Sequence, residues 1–122
     1  DPAMFEAYYN LGLAASQAGQ TARSLTAYEQ ALALQPDAAE ARYNFALGLK
    51  QAGYPADAAN ELNRVLAAHP EHTNARIALA NLYAQQLGQP GKAREHYRQV
   101  LERDPQHPQA DTIRHWLVQN PG

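Results

Sequence analysis

A pattern of small residues, glycine and proline recurs along this chain every 34 or 35 positions, and it limits the fold more than any other feature of the sequence. Gly12, Ala46 and Ala80 occupy equivalent places, as do Ser24, Ala58 and Ala93, and then Pro36, Pro70 and Pro105. Gly53 likewise succeeds Gly19. Around these markers apolar side chains return at helical spacing, so each copy reads as two amphipathic helices joined at a glycine. The stretch from Ala39 to Pro70 shows the unit most clearly. A helix with almost no side chain at one point lets its partner approach closely there, while larger neighbours fill the flanks. A four-helix bundle has no reason to repeat that arrangement at a fixed period. Stacked antiparallel pairs do.

Asp1 and Pro2 form a helix start, because Asp accepts from free backbone amides and Pro has no N–H to waste. Tyr8, Leu11, Gly12 and Ala15 follow on one stripe, and Gly19 ends the helix. A second helix is expected from about Thr21 to Leu34, with Leu25, Tyr28, Ala31 and Leu32 inward. The next pair carries Phe45, Ala46 and Leu49, then Pro55 in a first turn, then Ala58, Leu62, Val65 and Leu66. The third begins near Thr73, with Leu79, Ala80 and Tyr83 inward. Its turn, Leu87 to Gly91, holds one extra residue, so Ala93, Tyr97, Val100 and Leu101 lie 35 beyond their counterparts. An insertion confined to a turn leaves both helices with their faces in place. A single helix from His107 to Asn120 closes the chain, with Ile113, Trp116 and Leu117 on one face. It departs from the repeat at Arg114, which suits a terminal helix with one wet side. Phe45, Ala46 and Leu62, in the pair flanked by complete copies, are expected to be the best-buried core.

Composition narrows the function. An apolar fraction of 45% over 122 residues is enough for one domain with a continuous core. The formal net charge of -2 has both signs interspersed, and Lys50 and Lys92 are the sole lysines. No basic stripe for nucleic acid is present. Absence of cysteine excludes disulfides and thiolate chemistry. No run approaches the roughly 18 apolar residues of a membrane span, and no signal pattern occurs, so cytoplasm and periplasm both remain compatible. A start at Asp1 without methionine suits a fragment or a processed chain. His69 and His72 flank Pro70 at a turn, His96 falls beside Glu95 on a charged helix face, and His107 and His115 have only Asp111 between them. With no phosphate loop, HExxH or dinucleotide fingerprint, no catalytic, cofactor or metal site is expected.

These features together resemble the tetratricopeptide repeat domain, whose 34-residue pattern sets an aromatic, a leucine–glycine pair, a further aromatic, alanine, aromatic and a closing proline in order. Residues 5–38 supply Tyr8, Leu11, Gly12, Tyr28, Ala31 and Pro36; residues 39–72 supply Phe45, Ala46, Ala58, Val65 and Pro70. Residues 73–107 supply Leu79, Ala80, Tyr83, Ala93, Tyr97 and Pro105, and residues 107–120 form the capping helix. Arg42 and Arg76 depart from the pattern, standing where the aromatic of Tyr8 would recur. The resemblance implies an all-α fold, a right-handed superhelix of antiparallel helix pairs with the first helix of each pair on its concave side. It also implies a non-enzymatic module that binds a protein or peptide there. Tyr9, Asn10 and Leu13, then Tyr43, Asn44 and Leu47, then Ile77 and Asn81 are the candidate contacts. The aromatic and aliphatic members offer apolar area and the asparagines can hold peptide groups. A grip on a C-terminal carboxylate is not expected, since Tyr9, Leu13, Asn74 and Ala78 stand where cationic and polar partners are needed. The alternative is a structural segment of a longer solenoid, or self-association through the terminal helix.

Overall fold

The protein is described here by a computed structural model covering residues 1–122, and its regular structure is entirely helical. The Asp1 carboxylate accepts from the Ala3 N–H at 3.0 Å and Pro2 takes the first helical position, starting α1 (Pro2–Gln17). After it come α2 (Thr21–Leu34), α3 (Ala39–Gln51), α4 (Pro55–Ala68), α5 (Thr73–Gln85), α6 (Pro90–Arg103) and α7 (Ala110–Gln119). Short loops join consecutive helices, which sets them antiparallel in pairs. By their contacts the residues form two compact units, Asp1–His69 with α1 to α4 and Pro70–Gly122 with α5 to α7. No helix is long and apolar enough to cross a membrane.

In the first unit α1 lies along α2, α3 along α4, and α2 against α3. The small residues mark the crossing of α1 and α2. Gly12 and Ser24 are buried, and the Ser24 hydroxyl donates to the Gly12 carbonyl at 3.0 Å, so the polar atom that a small residue brings inside is satisfied. A Cβ on Gly12 would stand 2.5 Å from the Tyr28 ring, which is itself 2% exposed. Ala46, Ala58, Leu62 and Val65 carry the same core through α3 and α4. Phe45 corrects the expectation for this pair: it is half-buried, not among the best-covered side chains. Leu11, at the same register, is 36% exposed, because α1 has only α2 and, lightly, α3 against it. The small residue faces the partner helix directly, and its larger neighbour, about 100° further round, is covered only as far as other helices reach it.

The interhelical turns repeat atom by atom. Gly19 has φ +76 and Gly53 φ +92, a region that suits glycine alone, and their N–H groups donate to Ser16 and Lys50 carbonyls. Gln20 and Tyr54 N–H groups then return to Ala15 and Leu49. In the second unit the longer turn keeps a left-handed glycine, Gly88 with φ +61. Leu87 donates to Leu82 and Gln89 to Tyr83. The extra residue is thus absorbed before Pro90 starts α6. Leu79, Ala80, Leu82, Ala93 and Val100 form this unit's core.

The last helix starts at Ala110, later than expected. His107 N–H donates to Asp104, Ala110 N–H to the His107 carbonyl, and Gln109 N–H to His107 Nδ1, so Pro108 sits in a turn, not in a helix. Trp116 places its ring 4.9 Å from that of Tyr97, which fastens α7 to α6.

Two glycines inside helices separate packing from propensity. Alanine gains about 1 kcal/mol of helix propensity over glycine. At Gly12 the new methyl meets a buried ring that cannot move, at a cost of about 2–3 kcal/mol. At Gly48 it meets one terminal methyl of half-buried Leu25, at 2.9 Å, which can swing aside. Urea unfolding should show Gly12→Ala destabilised by about 1–2 kcal/mol and Gly48→Ala within about 0.5 kcal/mol of the parent.

Candidate functional site

On α1 and α3 the candidate residues fall at spacings of one and four, which puts Tyr9 and Leu13, and Tyr43 and Leu47, on one face of each helix. Asn10 is exposed; Tyr9, Leu13, Tyr43, Asn44 and Leu47 are half-buried. Tyr9 stacks on Phe5 with 5.9 Å between ring centroids and tilts against Tyr28 at 6.1 Å. Its hydroxyl reaches α3, where Asn44 Nδ2 donates to it at 3.0 Å and also to the Glu40 carbonyl at 3.0 Å. A backbone carbonyl can only accept, so the atom facing Glu40 must be the amide nitrogen, which fixes the orientation of the side chain. Both amide protons are then committed. Asn44 Oδ1 remains as an acceptor, and the Tyr9 hydroxyl, having accepted, keeps its own proton to donate. The Tyr43 phenol pKa is raised, first because it is desolvated and then because Glu40 lies nearby.

In the second unit α5 carries the other two candidates, and the structure treats them differently. Ile77 is 5% exposed, which makes it a core residue with almost no area to offer. Asn81 is half-buried and its Oδ1 accepts from the Tyr97 hydroxyl, tying α5 to α6; burial raises the phenol pKa of Tyr97.

Sequence reading missed a set of polar joints built on the residues that broke the repeat pattern. Arg42 Nη2 donates to the Pro36 carbonyl at 2.7 Å, Arg76 Nη2 to Pro70 at 2.9 Å, and Arg114 Nη2 to Pro105 at 2.9 Å. Each arginine closes the turn that the proline opens. Arg42 Nη1 also pairs with Glu61, both side chains being 14% exposed. Arg76, 8% exposed, has Gln99 and His96 instead. His96, expected beside Glu95 on a charged helix face, is half-buried and its ring stacks on Tyr83 at 5.8 Å. The recurrence of arginine six residues after proline, at 36/42 and 70/76, was the available signal. No group of three or more acidic or histidine side chains comes together to hold a metal.

The Tyr9–Asn44 bond gives a direct check. Tyr9→Phe keeps the ring contacts and removes one acceptor from Asn44, so stability should fall by about 1 kcal/mol. Exposed Asn10→Ala should stay within about 0.5 kcal/mol of the parent. Chemical denaturation measures both.

Comparison with known proteins now adds to this geometry. A tetratricopeptide repeat family model matches residues 49–117 and a second one matches residues 5–38. No curated protein matches the chain. Among solved structures, the Arabidopsis OM64 TPR domain superposes with TM-score 0.85 at 18% identity, covering 94% of this chain and 94% of that one. YrrB, described as a TPR protein with an unusual peptide-binding site, superposes with TM-score 0.84 at 23% identity over 91% of this chain, which spans 57% of that one. The first TPR of Spaghetti (RPAP3), bound to the HSP90 peptide SRMEEVD, gives TM-score 0.86 at 18% identity, covering 98% and 96% of the two chains. At these identities the likeness speaks for the fold, an αα solenoid. With the larger family match alone spanning more than half of the residues, the chain belongs to the tetratricopeptide repeat family.

Proposed function

We propose that this chain is a non-catalytic interaction module that binds an extended peptide segment of a partner protein on its first helices, chiefly along α1 and α3. The observation that carries the proposal is the polar pair at Tyr9 and Asn44. It presents one acceptor, Asn44 Oδ1, beside one donor, the Tyr9 hydroxyl, which complements the N–H and C=O of a peptide group. Leu13, Tyr43 and Leu47 flank it with half-buried apolar area. Support also comes from relatives in fold: one was solved with a peptide bound and another is described by its peptide-binding site. A carboxylate would need two donors where Asn44 has none left, so the segment is read through its main chain, not through a free C-terminus. On this reading residues 5–38, 39–72 and 73–107 are three repeats of one domain, α7 is the cap, and Asn81 serves the third repeat. The same reading has no nucleic acid partner and no direct membrane insertion.

A display library of extended peptides, selected on the immobilised protein and measured by calorimetry, tests the surface. Tyr43→Ala with Leu47→Ala should weaken a selected peptide by at least about 1 kcal/mol, roughly fivefold, with unchanged helical content by circular dichroism. Equal affinity in that double variant would place binding elsewhere. A second reading rests on α7, where Val118 is 77% exposed beside half-buried Trp116 and Leu117, an apolar edge suited to self-association. Sedimentation at about 100 μM should show a mass that falls in Val118→Asp if that edge pairs, and a monomer throughout if it does not.

A further inference from the structure

His96 stands in the second unit where Glu61 stands in the first, 35 residues on with the one-residue insertion between them. The exchange changes the electrostatics of one joint. Arg42 meets the Glu61 carboxylate, whereas Arg76 Nη1 lies 3.1 Å from His96 Nδ1 and donates to Gln99. The Arg76 Nη2 bond to the Pro70 carbonyl completes its partners, and its buried Nε has none. A buried guanidinium is thus held by neutral groups alone. It can only donate, so His96 Nδ1 must be the acceptor and the ring proton must sit on Nε2. A second proton on His96 goes to Nδ1. There it breaks the contact and sets two cations side by side in a half-buried place.

The surroundings offer little relief. From α5 the imidazole faces Arg76 and the Tyr83 ring. From its own helix it feels Glu95 and Lys92, the latter with Nζ 5.4 Å from the Tyr83 ring, while Arg103 adds positive charge beside Arg76. On α7, Asp111 and Arg114 pair with each other at 2.9 Å. Burial first, and then Arg76, holds His96 below the usual imidazole value; Glu95 opposes this and Lys92 adds to it.

We propose that the Arg76–His96 contact makes the α5–α6 pair an acid-sensitive joint, which loosens when His96 takes up a proton, while the Arg42–Glu61 joint in the same register does not depend on a histidine. The sign follows from the two states. An unfolded imidazole titrates near 6.5. With the folded value lower, the unfolded chain binds more protons between the two, so stability is complete above about pH 6.5 and is lost as pH falls below it.

The wild-type chain and His96→Gln, which keeps an acceptor and cannot become charged in this range, decide the matter. His72 and His107 also accept backbone N–H groups through Nδ1, so the informative quantity is the difference between the two proteins. Between pH 7.5 and 5.5 the thermal midpoint of the wild type should fall about 3 °C further than that of H96Q. The His96 ring proton, followed by NMR in the wild type, should titrate below 6.5. An H96Q midpoint that falls as far as the wild type's, or a His96 titration at or above 6.5, overturns the proposal. If H96Q fails to fold, the wild-type titration decides by itself.

Discussion

The close approach of paired helices at points without side chains is the constraint on which the rest depends. At the α1–α2 crossing, Gly12 and Ser24 let the Tyr28 ring lie where any Cβ would have to be, and the serine hydroxyl satisfies a helix carbonyl that is shut off from water. Ala46, Ala58, Ala80 and Ala93, none more than 1% exposed, hold the same places in α3 to α6. Contact at such short range gains dispersion and excludes water, but only if the flanking side chains fit. The left-handed glycines at 19, 53 and 88 then bring each second helix back along its first.

A second layer of control is polar. Proline ends every pair and leaves a carbonyl with no helical partner, and an arginine on the following helix takes it up. The long guanidinium arms also reach the second helix of their own pair or the neighbouring turn, so one side chain fixes a turn and a helix together. What completes each arginine differs: a carboxylate for Arg42, neutral groups for Arg76, and an exposed aspartate for Arg114. The three arginine joints therefore differ in charge and, on the proposal above, in their response to pH. The proposed peptide surface shows the same economy, because the Tyr9 and Asn44 side chains proposed to meet the peptide also join α1 to α3.

Much of this was legible beforehand. Periodicity gave six of the helices nearly to the residue, because proline, glycine and apolar spacing act locally and each repeat confirmed the others. The start of α7 was misplaced because Pro108 fits a helix start as well as it fits the hydrogen-bonded turn built on His107. Phe45 and Ile77 exchanged their expected roles, the first half-exposed and the second in the core, since helical spacing names a face but not how far neighbours cover it.

By itself, then, the sequence determined an all-helical array of paired helices with its crossing points, its turns and its family, all of which rest on interactions within about one repeat. Only the tertiary structure decided which polar side chains meet. Arg76 and His96 are 20 positions apart, and Tyr9 and Asn44 are 35 apart. No pattern of hydrophobicity reports whether two such groups point at each other. Their meeting depends on the axial offset and rotation of packed helices, so the charge state of His96 and the orientation of the Asn44 amide emerge only once those helices are in place.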